Sequence, residues 1–375
     1  MSFLSLILRN LTRNRRRGVL MASGIGVAAF VIASLLSVEA GFGALIGSAD
    51  DTLLNVREKA LACPVTGRVF DSDLATIAGM AAVRDATGVL RGLYSYQDKK
   101  NLVVVNGVDL QAFRGVKDVR VLEGSESAFT ARPDAALVGR PIASQYGWKV
   151  GETVSLLEDR LRFQIAGTFE AADKSYETGV LVHKEYLARL KHDEGKSTFL
   201  IVRLKDPAAL ASVSRAIDAE YANHPKPTKT QSERVARERE LQDFRELRRM
   251  LGLMVLAAIA VSVFGAANGI SMSIRERTRE VGILRSLGVR REQILGMLIS
   301  EAALLALAGG AAGIGLAAVL LATGRTLGGM IPLALRPGAL GASLGLALLI
   351  GLSGAVLPAV RATRLSIVDA LKLAD

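Results

Sequence analysis

The chain has 375 residues, half of them hydrophobic, and a mean hydropathy of +0.32, which is too apolar for an ordinary soluble protein of this size. Its formal net charge of +11 is concentrated beside apolar runs: +5 over residues 1–17, +3 over 275–292 and +1 over 361–375, while 39–249 holds 31 basic and 30 acidic residues. That distribution follows the positive-inside rule, and without a basic stripe interleaved with aromatics it argues against nucleic-acid binding.

Residues 1–17 read as an amphipathic helix on the cytoplasmic membrane surface. Phe3, Leu4, Ile7, Leu8 and Leu11 can face lipid while Arg9, Arg13 and Arg15 to Arg17 face phosphates. Residues 18–38 form the first membrane span, uncharged over the 20 residues from Val19 to Val38. A cleaved signal peptide is the rival reading, but the apolar run is long for one and no clear Ala-x-Ala site follows it. Ala22/Gly26 and Ala29/Ala33 are small-xxx-small pairs that permit close helix contact.

Residues 39–231 predict a polar, extracytoplasmic domain with mixed helix and strand signals. Asp71 or Ser72 can cap a helix to about residue 81. Strands are expected over 83–96, 102–105, 135–138, 179–182 and 199–204, and a hairpin over 154–157 and 162–169. Short helices are expected over 141–146, from 183 to about 191, and from Pro207 to about 222. Residues 147–151 read as a turn and 223–230 as a linker. Residues 232–249 then predict a stalk helix dense in charge, with helix-supporting pairs such as Glu233/Arg237, running unbroken into the next span.

The second span is 250–272, in a stretch with no charge from Met250 to Ile274. The third is 293–324, whose one charge is Glu301, and the fourth is 339–360, after an outer loop at 325–338. A cytoplasmic tail follows at 361–375. Glu301 lies eight residues into its span, about 12 Å deep at ~1.5 Å per residue, where an ionisable group should face protein or water. Gly309 and Gly313 form a GxxxG, a candidate packing face.

Between spans two and three lies a charged segment, 273–292. Ile274, Thr278, Val281, Leu284 and Leu287 recur at helical spacing behind a charged first turn, and Gly288 offers a helix stop. A solvated loop is the plain alternative. The sequence RERTREVGILRSLGVRREQIL resembles the cytoplasmic coupling segment of MacB/FtsX-type (type VII) ABC transporter permeases. ALVGRPIASQYGWKVGETVSL and FQIAGTFE are similar to that family's periplasmic core domain, and RATRLSIVDALKLAD to its closing pattern.

The resemblance implies a membrane protein of four transmembrane α-helices, with a large α+β extracytoplasmic domain inserted between helices 1 and 2 and an outer lobe at about 110–195. It implies an inner-membrane location with both termini cytoplasmic, and a second permease copy or homologue as partner. It implies an ABC ATPase subunit docked on Glu276, Arg277, Arg279, Glu280 and Gly282, with Leu284 and Leu287 as the apolar contact. ATP and magnesium would sit on that ATPase, with no cofactor on this chain. A periplasmic adaptor and outer-membrane channel accompany some members. Export or extraction of an amphiphile is the expected function; regulation of cell-wall hydrolases and lipoprotein release share the architecture.

No Walker A, GxSxG or HExxH pattern occurs, so the sequence carries no recognisable catalytic motif. His183, His192 and His224 are scattered, and Cys63, the one cysteine, has no intrachain disulfide partner.

Overall fold

A computed structural model describes residues 15–59, 66–158, 160–240, 243–276, 278–323, 326–327, 331–332 and 337–364. Residues 1–14 of the amphipathic helix expected at 1–17, residues 365–375 of the tail expected at 361–375, and Cys63 lie outside them. The chain divides into two compact units. One takes the segment ending at Ser37, Glu246–Ala322 and the segment from Leu335; the other takes Val38–Arg245 with Thr323–Ala334.

In chain order, α1 is Arg15–Gly47 and β1 Leu53–Glu58. β2 (Val69–Phe70), α2 (Asp71–Ala78), β3 (Val83–Tyr96) and β4 (Asp98–Val108) follow. Then come α3 (Leu110–Val116), β5 (Val119–Gly124), α4 (Glu126–Thr130), β6 (Ala135–Gly139), α5 (Arg140–Tyr146), β7 (Thr153–Ser155) and β8 (Arg162–Ala171). The domain continues with α6 (Lys174–Glu177), β9 (Val180–His183), α7 (Lys184–Lys191), β10 (Lys196–Ser197), β11 (Phe199–Leu204), α8 (Leu210–Glu220), β12 (Thr228–Ser232) and α9 (Glu233–Glu240). α10 (Asp243–Glu276), α11 (Thr278–Ser286), α12 (Arg291–Thr323), the short strands β13 (Thr326–Leu327) and β14 (Ile331–Pro332), and α13 (Pro337–Arg364) complete it.

Among the described residues, four helices have the length and apolarity to cross a bilayer, at Gly18–Gly47, Gly252–Met272, Arg291–Leu321 and Pro337–Arg361. Much of their surface is open to lipid: Val261 and Phe264 are 72% and 75% exposed. The first helix does not stop at 38. It continues to Gly47, because Glu39 is the only charge between Val19 and Gly47 and no breaker intervenes.

The other unit is built on one ten-stranded mixed sheet, ordered β12-β1-β11-β3-β4-β9-β6-β8-β5, with β7 on β8. Pairings β4·β9 and β6·β8 are parallel and the others antiparallel. Its inner strands are buried on both faces. On β9, Val180 and Val182 enter one core with Leu90, Tyr94 and Phe163, while Leu181 enters the opposite core with Val89, Phe113 and Phe169. This is why Ala135 to Val138 and Val180 to Val182 read as continuous apolar runs. A third core, with Leu54, Leu200, Ile77 and Ile217, lies under α2 and α8.

Three local expectations are corrected. Asp71 does not cap its helix: α2 begins at Asp71, and its Oδ1 accepts from Lys184 Nζ and Ser197 Oγ, both at 2.6 Å. A long-range ion pair prevailed over the local cap. Pro207 opens a 3-10 turn, Pro207–Ala209, capped by Asp206 through Ala208 N at 2.9 Å; α8 starts only at Leu210. Part of the expected linker is a strand, since β12 pairs with β1 from Leu54↔Ser232 to Glu58↔Thr228. Its polar sequence TKTQS gives little strand signal.

Candidate functional site

The segment between spans two and three is helical. Glu276 is the last residue of α10, and Arg279 and Glu280 lie in the first turn of α11; Arg277 is outside the described residues. Gly288, at φ +86°, ends the helix as the sequence suggests. The amide of Val289 donates to Leu284 O at 3.0 Å and that of Leu287 to Ile283 O at 3.0 Å. Two residues later α12 starts, with Arg290 N donating to Gln293 Oε1 at 3.1 Å as half of a capping box.

The two leucines assigned to one contact part company. Leu284 is half-buried and packs on Ile270, Ile294, Leu298 and Ala355 of the helical unit. Leu287 is 75% exposed, just past the end of α11 at Ser286. Ile283, 44% exposed and one turn before Leu287, is the outward aliphatic neighbour that periodicity overlooked. Gly282 is buried. Ile283 and Leu287 are thus two outward aliphatic side chains, one on α11 and one just after it.

Within the same unit the glycine pairs find each other. A Cβ on Gly309 would lie 2.2 Å from Ala22 O, and one on Gly313 would lie 2.0 Å from Gly26 O. So Gly309/Gly313 on α12 and Ala22/Gly26 on α1 are one backbone-to-backbone contact. These small-residue faces meet each other inside the chain. Glu301 is half-buried on α12.

The most strongly built polar feature of the outer domain was not assembled by sequence reasoning. Lys117, after α3, meets Asp173 Oδ2 at 2.7 Å and also Glu233 Oε1. Arg237 donates bidentately to Asp173, at 2.6 and 2.8 Å, and to Glu233 at 3.2 Å. All four side chains are 4–8% exposed. Burial alone would push the Asp173 carboxyl up; Lys117 and Arg237 together hold it far below the usual carboxylate range. Arg237 is raised correspondingly, against its own burial, chiefly by the hydrogen bonds to Asp173. Lys117 also lies 5.5 Å from the ring of Tyr176, whose other cationic neighbour, Arg91, is at 5.3 Å. Only the Glu233/Arg237 pair was legible beforehand, at its four-residue spacing. Asp173 and Lys117 are 60 and 116 residues from Glu233 in the sequence, and nothing local links them.

The histidines serve structure. His183 stacks on Phe129 at 4.1 Å and its Nε2 meets Phe129 O at 2.8 Å, His192 ends α7 in a left-handed turn, and His224 packs between Phe70 and Tyr221. Among the described residues no three His, Cys, Asp or Glu side chains gather as a metal site.

Comparison with known proteins decides the family. The MacB-like periplasmic core domain matches residues 19–220, more than half of the chain, and the FtsX-like permease C-terminal domain matches 252–367. The chain belongs to the MacB/FtsX-type ABC transporter permeases. Relatives include the pyoverdine export ATP-binding/permease protein PvdT of Pseudomonas fluorescens (strain Pf0-1), 38% identical over 122 residues. That match covers 32% of this chain and 18% of PvdT. The macrolide export ATP-binding/permease protein MacB of Nitrobacter winogradskyi is 37% identical over 128 residues, covering 33% of this chain and 20% of that protein. The matched region is thus about a fifth of the length of these relatives.

Among solved structures, the periplasmic region of MacB from Actinobacillus actinomycetemcomitans aligns with TM-score 0.38 and 10% identity, covering 52% of this chain and 94% of that one. The extracellular domain of YknZ aligns with TM-score 0.37 and 12% identity, covering 48% and 99%. As a MacB/FtsX-type permease the chain is a membrane protein. The FtsX-like match takes in α11.

Proposed function

We infer that this chain is the non-catalytic permease subunit of an ABC transporter that acts mechanically. A separate ATPase chain, carrying the ATP and magnesium, docks on the segment 273–292. Its closure displaces α11, and the second span and stalk carry that displacement to the extracytoplasmic domain, where an amphiphilic substrate is exported or extracted. The observation that carries this reading is α11 itself: a capped amphipathic helix between two spans, fixed from within by Leu284 and presenting Ile283 and Leu287 outward. The positive-inside charge at 1–17, 275–292 and 361–375 supports cytoplasmic N- and C-termini. The export of pyoverdine and of macrolides named for the relatives supports a small amphiphile as cargo. A second permease copy or homologue, and an adaptor with an outer-membrane channel, complete the proposed assembly.

The test is a mild-detergent pull-down of the tagged protein from its own membranes, read by mass spectrometry. A P-loop ATPase should co-purify with the wild type and be lost or uncoupled in Glu280→Lys, with the permease still folded. An adaptor or amphiphilic cargo in the same eluate supports export, whereas a cell-wall hydrolase would replace export by regulation. Absence of any ATPase, under conditions where a control complex survives, would sink the reading.

A further inference from the structure

The outer domain is joined to the rest of the chain through the segment after α1 and the segment after β12, and both meet at one point within the domain. Arg237, on α9, donates to Leu45 O at 3.2 Å as well as to Asp173. Glu233, the first residue of α9, accepts from Asp50 N at 3.0 Å as well as from Lys117. Ser48 Oγ accepts from Lys174 N at 3.2 Å, beside Asp173. Arg234 pairs with Asp51 at 2.7 and 2.8 Å on the exposed side. The end of α1, the start of α9, the β8–α6 turn and the α3–β5 turn are therefore tied by one buried cluster of two cations and two carboxylates.

A cluster that only stabilised the fold could be replaced by apolar residues, since removing charges from water is costly. What ion pairs add is direction. Two bidentate or shared contacts fix α9 in rotation and in register, as an apolar contact does not. The cluster also reaches the middle of the sheet. Tyr176 lies between Lys117 and Arg91, and Arg91, on β3, is 4.9 Å from Phe199 on β11.

We propose that Lys117, Asp173, Glu233 and Arg237 are positioning residues that clamp both membrane-directed connections of the domain to the β5–β8 end of its sheet, so that displacement of the stalk is delivered to the sheet instead of being lost at the junction. The proposal rests on the mechanical reading above for its purpose, but its structural content stands without a partner.

Hydrogen exchange on the full chain in lipid nanodiscs tests that content. In Asp173→Asn, amides of 45–52 and of Glu233–Glu240 should exchange at least about tenfold faster, together, while those of β3, β4 and β11 keep their protection. Unchanged exchange in the two segments, release of one without the other, or a uniform rise across the sheet would each overturn the clamp. If Asp173→Asn does not fold, the charge-balanced double variant Lys117→Met with Glu233→Met keeps the Asp173–Arg237 pair and should release both segments more weakly, with the same outcomes decisive. With the ATPase bound, the variant should retain ATP hydrolysis and lose the nucleotide-dependent change in distance between spin labels on the outer lobes of paired copies. A full distance change would likewise overturn it. If the wild type binds no ATPase, the transporter reading falls, and exchange alone decides the clamp.

Discussion

The helical unit and the outer domain solve the same packing problem by opposite means. In the bundle, contact is made by what is missing: Gly309, Gly313 and Gly26 let backbones touch, and on α13 Gly351 and Gly354 leave room only for Ala306 and Ala266. In lipid the hydrophobic effect does not drive helices together, so close approach must supply the contact energy. In the outer domain contact is made by what is present: Phe, Tyr and branched residues fill both faces of a sheet, and four buried charges tie its base. There water provides the driving force for burial, and ion pairs can be added to fix direction. One unit should therefore fail on adding atoms, and the other on removing partners.

The largest expected effect tests the first half of that contrast. Gly313→Leu drives a side chain into Gly26 O and should break the α1–α12 contact outright, read as loss of monodisperse protein in detergent. Gly315→Leu, two residues on and with nothing within 4 Å, should be tolerated. Equal loss in both would mean that length of side chain, not the α1–α12 contact, is what matters.

Next is the charge cluster. Asp173→Asn leaves Arg237 and Lys117 short of an acceptor and should cost the segments tied by the cluster about 3–5 kcal/mol of local stability, read as a separate early step in thermal unfolding ahead of the sheet. The same group sets a pH dependence. Its carboxyl is depressed in the folded state, so its contribution is complete above the unfolded value near ~4 and is lost as pH falls through the depressed folded value. Asp193, held low against its burial by Arg68, adds to the same acid limb. The wild type should thus lose domain stability progressively below pH ~4, and Asp173→Asn should show a shallower slope there. An unchanged slope would remove Asp173 as its cause.

The smallest effect separates the two leucines, Leu284 on α11 and Leu287 just after it. Leu284→Ala should lower the stability of the helical unit by about 1–2 kcal/mol. Leu287→Ala should stay within about 0.5 kcal/mol of wild type, yet weaken ATPase co-purification together with Ile283→Ala. If Leu287→Ala leaves co-purification intact, the outward surface lies elsewhere on α11.

Much of this was legible because it is local. An uncharged run from Met250 to Ile274 specifies a span by length and apolarity alone. Gly288 ends α11 because a left-handed turn follows it, which glycine adopts without a Cβ clash. The strand at Val83–Tyr96 announces itself through β-favouring residues. β12 and α3 escaped notice because TKTQS and LQAFRGV are short and carry weak periodicity; pairing with β1 and the Asp109 cap on Ala112 N define them.

By itself, then, the sequence determined the four spans, the family motif of the coupling segment and the α+β character of the inserted domain, since each depends on composition or spacing within a few turns. Tertiary structure alone decided that Ala22/Gly26 and Gly309/Gly313 are two halves of one contact, that Leu284 turns inward while Leu287 turns outward, and that Lys117, Asp173, Glu233 and Arg237 share one buried site. The reason is the same in all three. Which surface a residue meets depends on chain closure over tens to hundreds of positions, and a buried charge is tolerable only where that closure delivers its partner.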